Sequence, residues 1–319
     1  MRSRQHTRVA GFCISQVALA WMFVFLACFA LTAAPIKKPK QNAATYAKPA
    51  ENLLIIVADI QRHLNEDVYR FPYPTDVTGQ NVFRSAIVRL ANYETLYPGK
   101  MSDIVALSKA QAYEKLTAYE EAARYYEVAS KSADAAVARV AGEGLERTRR
   151  FARIAHQELD YSGLRTFERD LQKKIRDLDA LARELKGTPY QCLALLERER
   201  AQMLLAQFYI TMRFVQPYTT QDAVLQIKRN IDENRESKRR YAHHLMLADL
   251  YYMLAKEYVL KADPDGPDFS VKEFEALANV ARSEYHIVEK ADGYPEKLEA
   301  RAKLMALEAF VNDVLEHAR

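Results

Sequence analysis

The sequence predicts an all-α body of antiparallel helix pairs, preceded by one apolar N-terminal segment. The 319 residues include only 9 Gly and 11 Pro, fewer turn residues than a β-sandwich or doubly wound α/β protein of this length requires. Ala, Leu, Glu, Lys and Arg dominate the chain, and these are strong helix formers. After residue 50, apolar side chains recur at steps of three or four, the period of an amphipathic helix.

The N-terminal segment has the arrangement of an export signal. Arg2, Arg4 and Arg8 precede a run from Val17 to Ala34 in which every residue except Thr32 is apolar, and a basic start before an apolar stretch is typical of secretory signals. A helix of this run extends ~27 Å, close to the hydrocarbon thickness of a bilayer. We therefore predict that residues 1–34 are a signal peptide or a membrane anchor, and that the body is periplasmic or faces the periplasm from the inner membrane.

The residues after the apolar run qualify this prediction. Cys28 is followed by apolar residues, unlike the start of a lipoprotein, so we expect no lipidation. The basic flank at Lys37, Lys38 and Lys40 opposes translocation and leaves a cytoplasm-facing anchor as an alternative. Residues 35–50 are rich in Lys, Pro, Ala, Asn and Gln and predict a disordered linker.

The charge of the chain does not favour a nucleic-acid partner. The formal net charge is +4, and the three leader arginines account for three of these charges because residues 1–34 contain no acid. Nucleic-acid binding requires a concentrated basic face, and the mixed charges of the body predict none. Any membrane contact is expected through the N-terminal segment alone.

Helix breakers divide the body, residues 51–319, into a series of helices. Pro and Gly clusters mark the loop at 67–80, the end near Pro98 and the acidic turn at 263–268. Gly142 and Gly144 are expected to weaken the helix that contains them. The predicted helices span 51–66, 81–96, 102–116, 119–132, 135–157, 162–186, about 189–214, about 219–235, 237–261, 270 to about 290, and the residues after Pro295.

Two of these helices carry recognisable start signals. Thr188 and Pro189 stand where an N-cap and a first helical residue are expected. Ser270 with Glu273 has the spacing of a capping box.

Residues 106–134 carry a repeat pattern of small and aromatic residues. Ala110 and Tyr113 lie three apart on one predicted helix, and Ala122, Tyr126 and Ala129 follow on the next at steps of four and three. This segment resembles one tetratricopeptide repeat, with Asp134 in place of the closing Pro of that family and Ala106 in place of its first aromatic. The resemblance implies a TPR-like α-solenoid, in which small residues let paired helices approach and tyrosines fill the gaps between repeats.

Parts of the pattern recur elsewhere. The spacing of a small residue and a tyrosine three positions later returns at Ala206 with Tyr209 and at Ala248 with Tyr251. Proline stands at the closing position of the pattern at Pro98 and Pro295. The helix at 162–186 lies outside the resemblance. A generic bundle or coiled coil is the alternative, and it requires sustained heptads, which only residues 164–185 approach.

The sequence carries no recognisable motif for catalysis or metal binding. His243 and His244 have Leu247 and Ala248 at i+4, where a zinc site on a helix requires a second ligand. The acidic turn at 263–268 lacks carboxylates at the end positions of a calcium loop. We therefore predict no catalytic, cofactor or metal site and no enzymatic activity, and we expect exposed or half-buried histidines and a buried, inert thiol at Cys192.

The function that this architecture implies is binding. Solenoids present extended concave surfaces, so we predict a non-catalytic protein–protein interaction scaffold of the bacterial-type cell envelope that binds a partner peptide or helix. Tyr125 and Tyr252 are candidates for lining its groove, because tyrosine, with 19 copies here, is favoured at interfaces. The alternative is an envelope enzyme or glycan-binding module that acts on peptidoglycan, as lytic transglycosylases do on a helical superhelix, although their Glu-Ser and Gly-Leu-Met-Gln segments are missing.

Overall fold

The computed structural model describes residues 48–66 and 79–318. Within these ranges the chain forms α-helices and no strands, which confirms the all-α prediction. None of the described helices combines the length and the apolar character needed to cross a bilayer. The predicted leader at 1–34 lies outside the described residues, as does the predicted linker except for Lys48, Pro49 and Ala50.

Eleven helices follow one another in the described part of the chain, and Lys48–Arg319 forms one compact unit. Their bounds are α1 Pro49–Glu66, α2 Asn81–Leu96, α3 Ser102–Lys115, α4 Tyr119–Ala129, α5 Ala135–Ala155, α6 Leu164–Glu184, α7 Gln191–Met212, α8 Thr219–Glu233, α9 Arg240–Lys261, α10 Val271–Glu289 and α11 Glu296–His317. Most bounds lie within three residues of the predicted ones. Helix α1 starts at Pro49, inside the predicted linker, because proline is well suited to the first helical position.

The predicted start of α7 is wrong. The helix begins at Gln191, whereas Thr188 and Pro189 belong to the turn that follows α6. The Thr188 hydroxyl donates to the carbonyl of Leu185 at 2.7 Å, and Gly187 adopts φ +79°. Thr188 therefore closes the end of α6 and does not cap α7.

The capping box predicted for α10 forms only in half. The Ser270 hydroxyl accepts from the Glu273 amide at 3.4 Å, as predicted. The Ser270 amide, however, donates to the Tyr258 hydroxyl at 2.9 Å. A tertiary contact from α9 thus replaces the local return bond of the motif.

Asp134 explains why α5 begins without the proline of the tetratricopeptide pattern. Its carboxylate accepts from the amides of Ala136 at 2.8 Å and Val137 at 3.3 Å. A side-chain N-cap satisfies donors that the first helical turn otherwise leaves unpaired. A carboxylate cap therefore stands at the start of α5.

Asp134→Ala is expected to lower the free energy of unfolding by about 1 kcal/mol, because two amides of α5 lose their acceptor. Urea denaturation followed by far-UV circular dichroism measures the change. Asp134→Asn is the control, since it keeps an acceptor and should retain most of the stability. Equal stability of the alanine variant and the wild-type chain would contradict the capping role.

The helices pack mainly against their neighbours in chain order or against the next helix but one. The core is divided accordingly into clusters strung along the chain. One cluster joins α1 to α3, another α3 to α5, a third α6 to α9 and a fourth α9 to α11. The apolar faces of the described helices are therefore buried in several clusters, each shared by helices that are close in sequence.

A fifth cluster crosses this order at the helix that lacks the repeat pattern. Buried side chains of α4, α5, α6 and α7 meet there, including Tyr119, Phe151, Leu181 and Leu193. The rings of Tyr119 and Phe151 stack with centroids 5.3 Å apart. The α5 and α6 helices make little direct contact with each other, and the Tyr119 hydroxyl of α4 donates to Glu197 of α7 at 3.0 Å.

Candidate functional site

The residues of the predicted repeat come together in one cluster between α3, α4 and α5. Ala110, Ala122, Ala129 and Tyr126 are fully buried, while Tyr113 is half-buried beside them. Small side chains at the helix contacts permit the close approach that the pattern predicts. These residues stabilise the contact between the three helices through packing.

The partial recurrences also lie in the core. Ala206 and Ala248 are fully buried, Tyr209 is buried and Tyr251 is half-buried. The Tyr209 hydroxyl donates to Glu168 of α6 at 2.5 Å, and burial followed by this hydrogen bond raises the pKa of the phenol. Tyr209 thereby ties the non-repeat helix to the following pair.

The two closing prolines lie in connections between helices. Pro98 is exposed in the turn between α2 and α3. Pro295 is half-buried immediately before α11, with φ −65°. Both precede a new helix, consistent with the backbone that proline favours.

The two candidate groove tyrosines make contacts within the body. Tyr125 stacks on Tyr113 with centroids 5.4 Å apart and planes 6° from parallel. Tyr252 donates to the carbonyl of Ala306 at 3.3 Å and packs beside Phe310. Neither lines the cleft described next, and their role in partner binding stays a prediction.

A cleft of about 600 Å³ opens in the described part of the chain. It lies between the C-terminal end of α3, the first half of α7, the start of α2 and the connection from α8 to α9. Its lining combines apolar side chains with charged ones, including Phe83, Lys115, Leu193, Arg198, Glu199 and residues 232–239. Concave surfaces that combine apolar walls with polar groups are typical of ligand sites.

Lys115 lies at the wall of the cleft and is 5% exposed. Its ammonium donates to the carbonyl of Pro189 at 2.6 Å and lies 3.4 Å from the Cys192 sulfur. Cys192 is half-buried and lines the cleft. The prediction of a buried thiol is therefore wrong, because Cys192 lies at the wall of the cleft.

Glu199 lines the cleft and forms a cluster of polar side chains with His243 and Ser237. Its carboxylate contacts His243 Nε2 at 2.7 Å and accepts from the Ser237 hydroxyl at 2.7 Å. His243 is fully buried and its Nδ1 has no hydrogen-bond partner in the described part of the chain. The expectation of an exposed or half-buried histidine is thus wrong for His243, since Glu199 supplies a partner in the core, and it holds for His244, which is half-buried against Glu284.

Arg198 connects the cleft to the non-repeat helix. Its guanidinium bonds Asp179 of α6 at 2.9 Å and Asn234 at 3.4 Å. Its Nε is buried without a hydrogen-bond partner among the described residues. One donor of this side chain is therefore buried without an acceptor among the described residues.

A second buried polar cluster lies next to Lys115 on α3. The fully buried Glu114 accepts from Arg147 Nε at 2.7 Å, from Arg147 Nη2 at 2.8 Å and from the Tyr126 hydroxyl at 2.6 Å. Burial lowers the pKa of Arg147, but the hydrogen bonds and charge of Glu114 outweigh it and raise that pKa overall. The guanidinium also lies 3.4 Å from the centroid of the Tyr190 ring, which fixes the turn beside the cleft.

The groups around the cleft offer charges and hydrogen-bond donors and acceptors to a ligand. Within residues 48–66 and 79–318, no three His, Cys, Asp or Glu side chains are placed to bind a metal ion. Ser237 and His243 both contact Glu199, so the serine is not paired with the histidine that would have to activate it. The cleft offers charged donors beside apolar walls.

Comparisons of the chain with protein-family models, with curated proteins and with solved structures returned no match. The tetratricopeptide resemblance therefore depends on the residues themselves.

Proposed function

We propose that this chain is a non-catalytic interaction protein of the bacterial-type cell envelope, built as a TPR-like α-solenoid that binds a partner peptide in the cleft beside Lys115. The cleft of about 600 Å³ is the observation that carries the proposal. Packing between helices close in sequence supports the solenoid, because solenoids stack repeats that contact only their neighbours. A cleft lined by several such helices can contact an extended peptide along its length.

The envelope location follows from the leader. Three arginines, an apolar run and a linker precede the body, and this order is typical of secretory signals and N-terminal anchors. We propose that the body is periplasmic or is held at the inner membrane facing the periplasm. A reporter fused after Ala47 should be active only in the periplasm, and cytoplasmic activity would contradict the proposal.

Site-specific photo-crosslinking in cells tests partner binding. A photoreactive amino acid is placed at Arg235, which is exposed on the rim of the cleft. The control position is Leu298, which is 72% exposed on α11. We expect a discrete crosslinked product from position 235 and none from position 298.

The product from position 235 should disappear when Leu196, another cleft residue, is replaced by Trp to fill the cleft. Equal labelling at both positions, or no labelling from position 235, would overturn the proposal.

A further inference from the structure

Lys115 of α3 and Cys192 of α7 form a close pair at the wall of the cleft. The Lys115 ammonium lies 3.4 Å from Cys192 Sγ, a distance that suits a hydrogen bond to sulfur. Lys115 is 5% exposed, whereas Cys192 is half-buried. A buried cation therefore stands directly beside a thiol that is open to the cleft.

The Lys115 ammonium has no carboxylate partner within the described part of the chain. Its hydrogen bonds go to the carbonyl of Pro189 at 2.6 Å and to Cys192 Sγ. The other buried lysine of α3, Lys109, pairs instead with Glu94 of α2 at 2.5 Å. A buried cation without a counter-ion is unfavourable, and Cys192 becomes that counter-ion when its thiol ionises.

The position of Cys192 in α7 also favours a thiolate. Cys192 is the second residue of this helix, which begins at Gln191. The partial positive charge at a helix N-terminus stabilises anions there. Thiols at such positions, or beside a lysine, ionise more readily than ordinary ones. The helix and the Lys115 ammonium therefore act on the same sulfur in the same direction.

The neutral thiol has one favourable contact of its own. Its S–H donates to the carbonyl of Pro189 at 3.2 Å. An S–H group is a weak donor, and the same carbonyl already accepts from the Lys115 ammonium at the shorter distance of 2.6 Å. The contact with the cation therefore outweighs the contact that holds the proton on sulfur.

The charged residues that flank Lys115 and Cys192 on α3 and α7 have partners of their own. They form three pairs, Glu114 with Arg147, Arg198 with Asp179 and Glu199 with His243. A charge that is balanced by a close partner has little effect at a distance. Lys115 therefore has the largest influence on the ionisation of Cys192.

The sulfur that reacts with Cys192 must come from another molecule. Cys192 is the only cysteine among the described residues, and the other two, Cys13 and Cys28, belong to the predicted leader. A half-buried thiol is poorly accessible to a disulfide on the surface of another folded protein. The cleft of about 600 Å³, however, has the size of small-molecule sites. The matching reagent is therefore a low-molecular-weight disulfide.

We propose that Cys192 is a reactive thiol that forms a mixed disulfide with a low-molecular-weight disulfide in the cleft, and that Lys115 stabilises its thiolate. Cys192 gives its proton to solvent, and Sγ attacks one sulfur of the reagent. A bond forms between these two sulfurs while the S–S bond of the reagent breaks, and the second sulfur leaves as a thiolate that takes up a proton. Sγ is oxidised and the leaving sulfur is reduced, so no further oxidant is needed.

The rate of adduct formation as a function of pH tests this proposal. The full chain is treated with bis(2-hydroxyethyl) disulfide, which is uncharged and therefore insensitive to the charges of the cleft. Mass spectrometry measures the adduct at Cys192. The rate follows the thiolate fraction, and an ordinary thiol is half ionised at about pH 8.5. We expect the midpoint of the folded chain about one pH unit lower or more, and that of the same chain unfolded in urea at about pH 8.5.

Variants of the two buried lysines identify the group responsible. Lys115→Met should raise the midpoint towards that of the unfolded chain, because the thiolate loses its cation. Lys115→Gln also removes the charge but keeps a hydrogen-bond donor, and it replaces the Met variant if that variant fails to fold. Lys109→Met is the matched control and should leave the midpoint unchanged, since Lys109 pairs with Glu94.

Three results would overturn the proposal. They are equal midpoints for the folded and unfolded wild-type chain, an unchanged midpoint in a folded Lys115 variant, and the absence of an adduct from the folded chain at every pH. The reaction is measured at Cys192 itself, so its outcome does not depend on whether the cleft binds a partner peptide.

Discussion

Replacing Arg147 with Met is expected to lower the free energy of unfolding by about 3–5 kcal/mol. The substitution leaves the fully buried Glu114 with the Tyr126 hydroxyl as its remaining side-chain partner, and an uncompensated carboxylate in the core is strongly destabilising. A domain is stable by about 5–15 kcal/mol, so one substitution removes a large share of the total. Urea denaturation followed by circular dichroism measures the loss.

Two further variants separate the buried charge from the loss of side-chain contacts. The double variant Glu114→Gln with Arg147→Met removes both charges and should recover a large part of the stability. Arg139→Met breaks an exposed pair with Glu143 on the same helix and should cost about 0.5 kcal/mol or less. A similar cost for Arg147→Met and Arg139→Met would show that Glu114 finds water or another partner when Arg147 is absent.

The helices were predictable because their signals are local. Periodic apolar residues, prolines and glycines act within a few positions of one another, and the resulting bounds agree closely with the structure. The burial of Ala110, Ala122 and Ala129 was predictable for the same reason. Small residues at repeat spacing indicate where two helices approach.

The polar side of the cleft was not predictable, since its contacts join distant parts of the chain. Lys115 bonds the carbonyl of Pro189, and His243 contacts Glu199. No period in the sequence relates such residues, and a lysine or histidine on a helix is ordinarily read as exposed. These pairs emerge only when α3, α7 and α9 are brought together.

The misplaced start of α7 shows how a tertiary contact overrides a correct local signal. Thr188 and Pro189 are good residues for opening a helix. In the fold, however, the Pro189 carbonyl accepts from Lys115 and the Tyr190 ring lies under the Arg147 guanidinium. These contacts hold residues 188–190 as a turn. The residues that follow it, Cys192 and Leu193, line the cleft.

Gly144→Ala is expected to lower the free energy of unfolding by about 1–3 kcal/mol, the usual cost of overpacking a core. A Cβ at this position would lie 2.4 Å from Cε1 and 2.5 Å from Cζ of Tyr126. The ring has little freedom to move, because it is fully buried and its hydroxyl is bonded to Glu114. Gly144 therefore sets the distance between α4 and α5.

Gly142 provides a matched control two residues earlier on the same helix. A Cβ there meets no atom within 4 Å, so Gly142→Ala should raise the stability by about 0.5–1 kcal/mol through helix propensity alone. Opposite signs for the two substitutions in thermal and urea denaturation would establish that one glycine is required by packing and the other is not. Stabilisation of both variants would mean that the Tyr126 ring moves to accept the added methyl group. The hydrogen bond from Tyr126 to Glu114 would then hold the ring less firmly than its burial indicates.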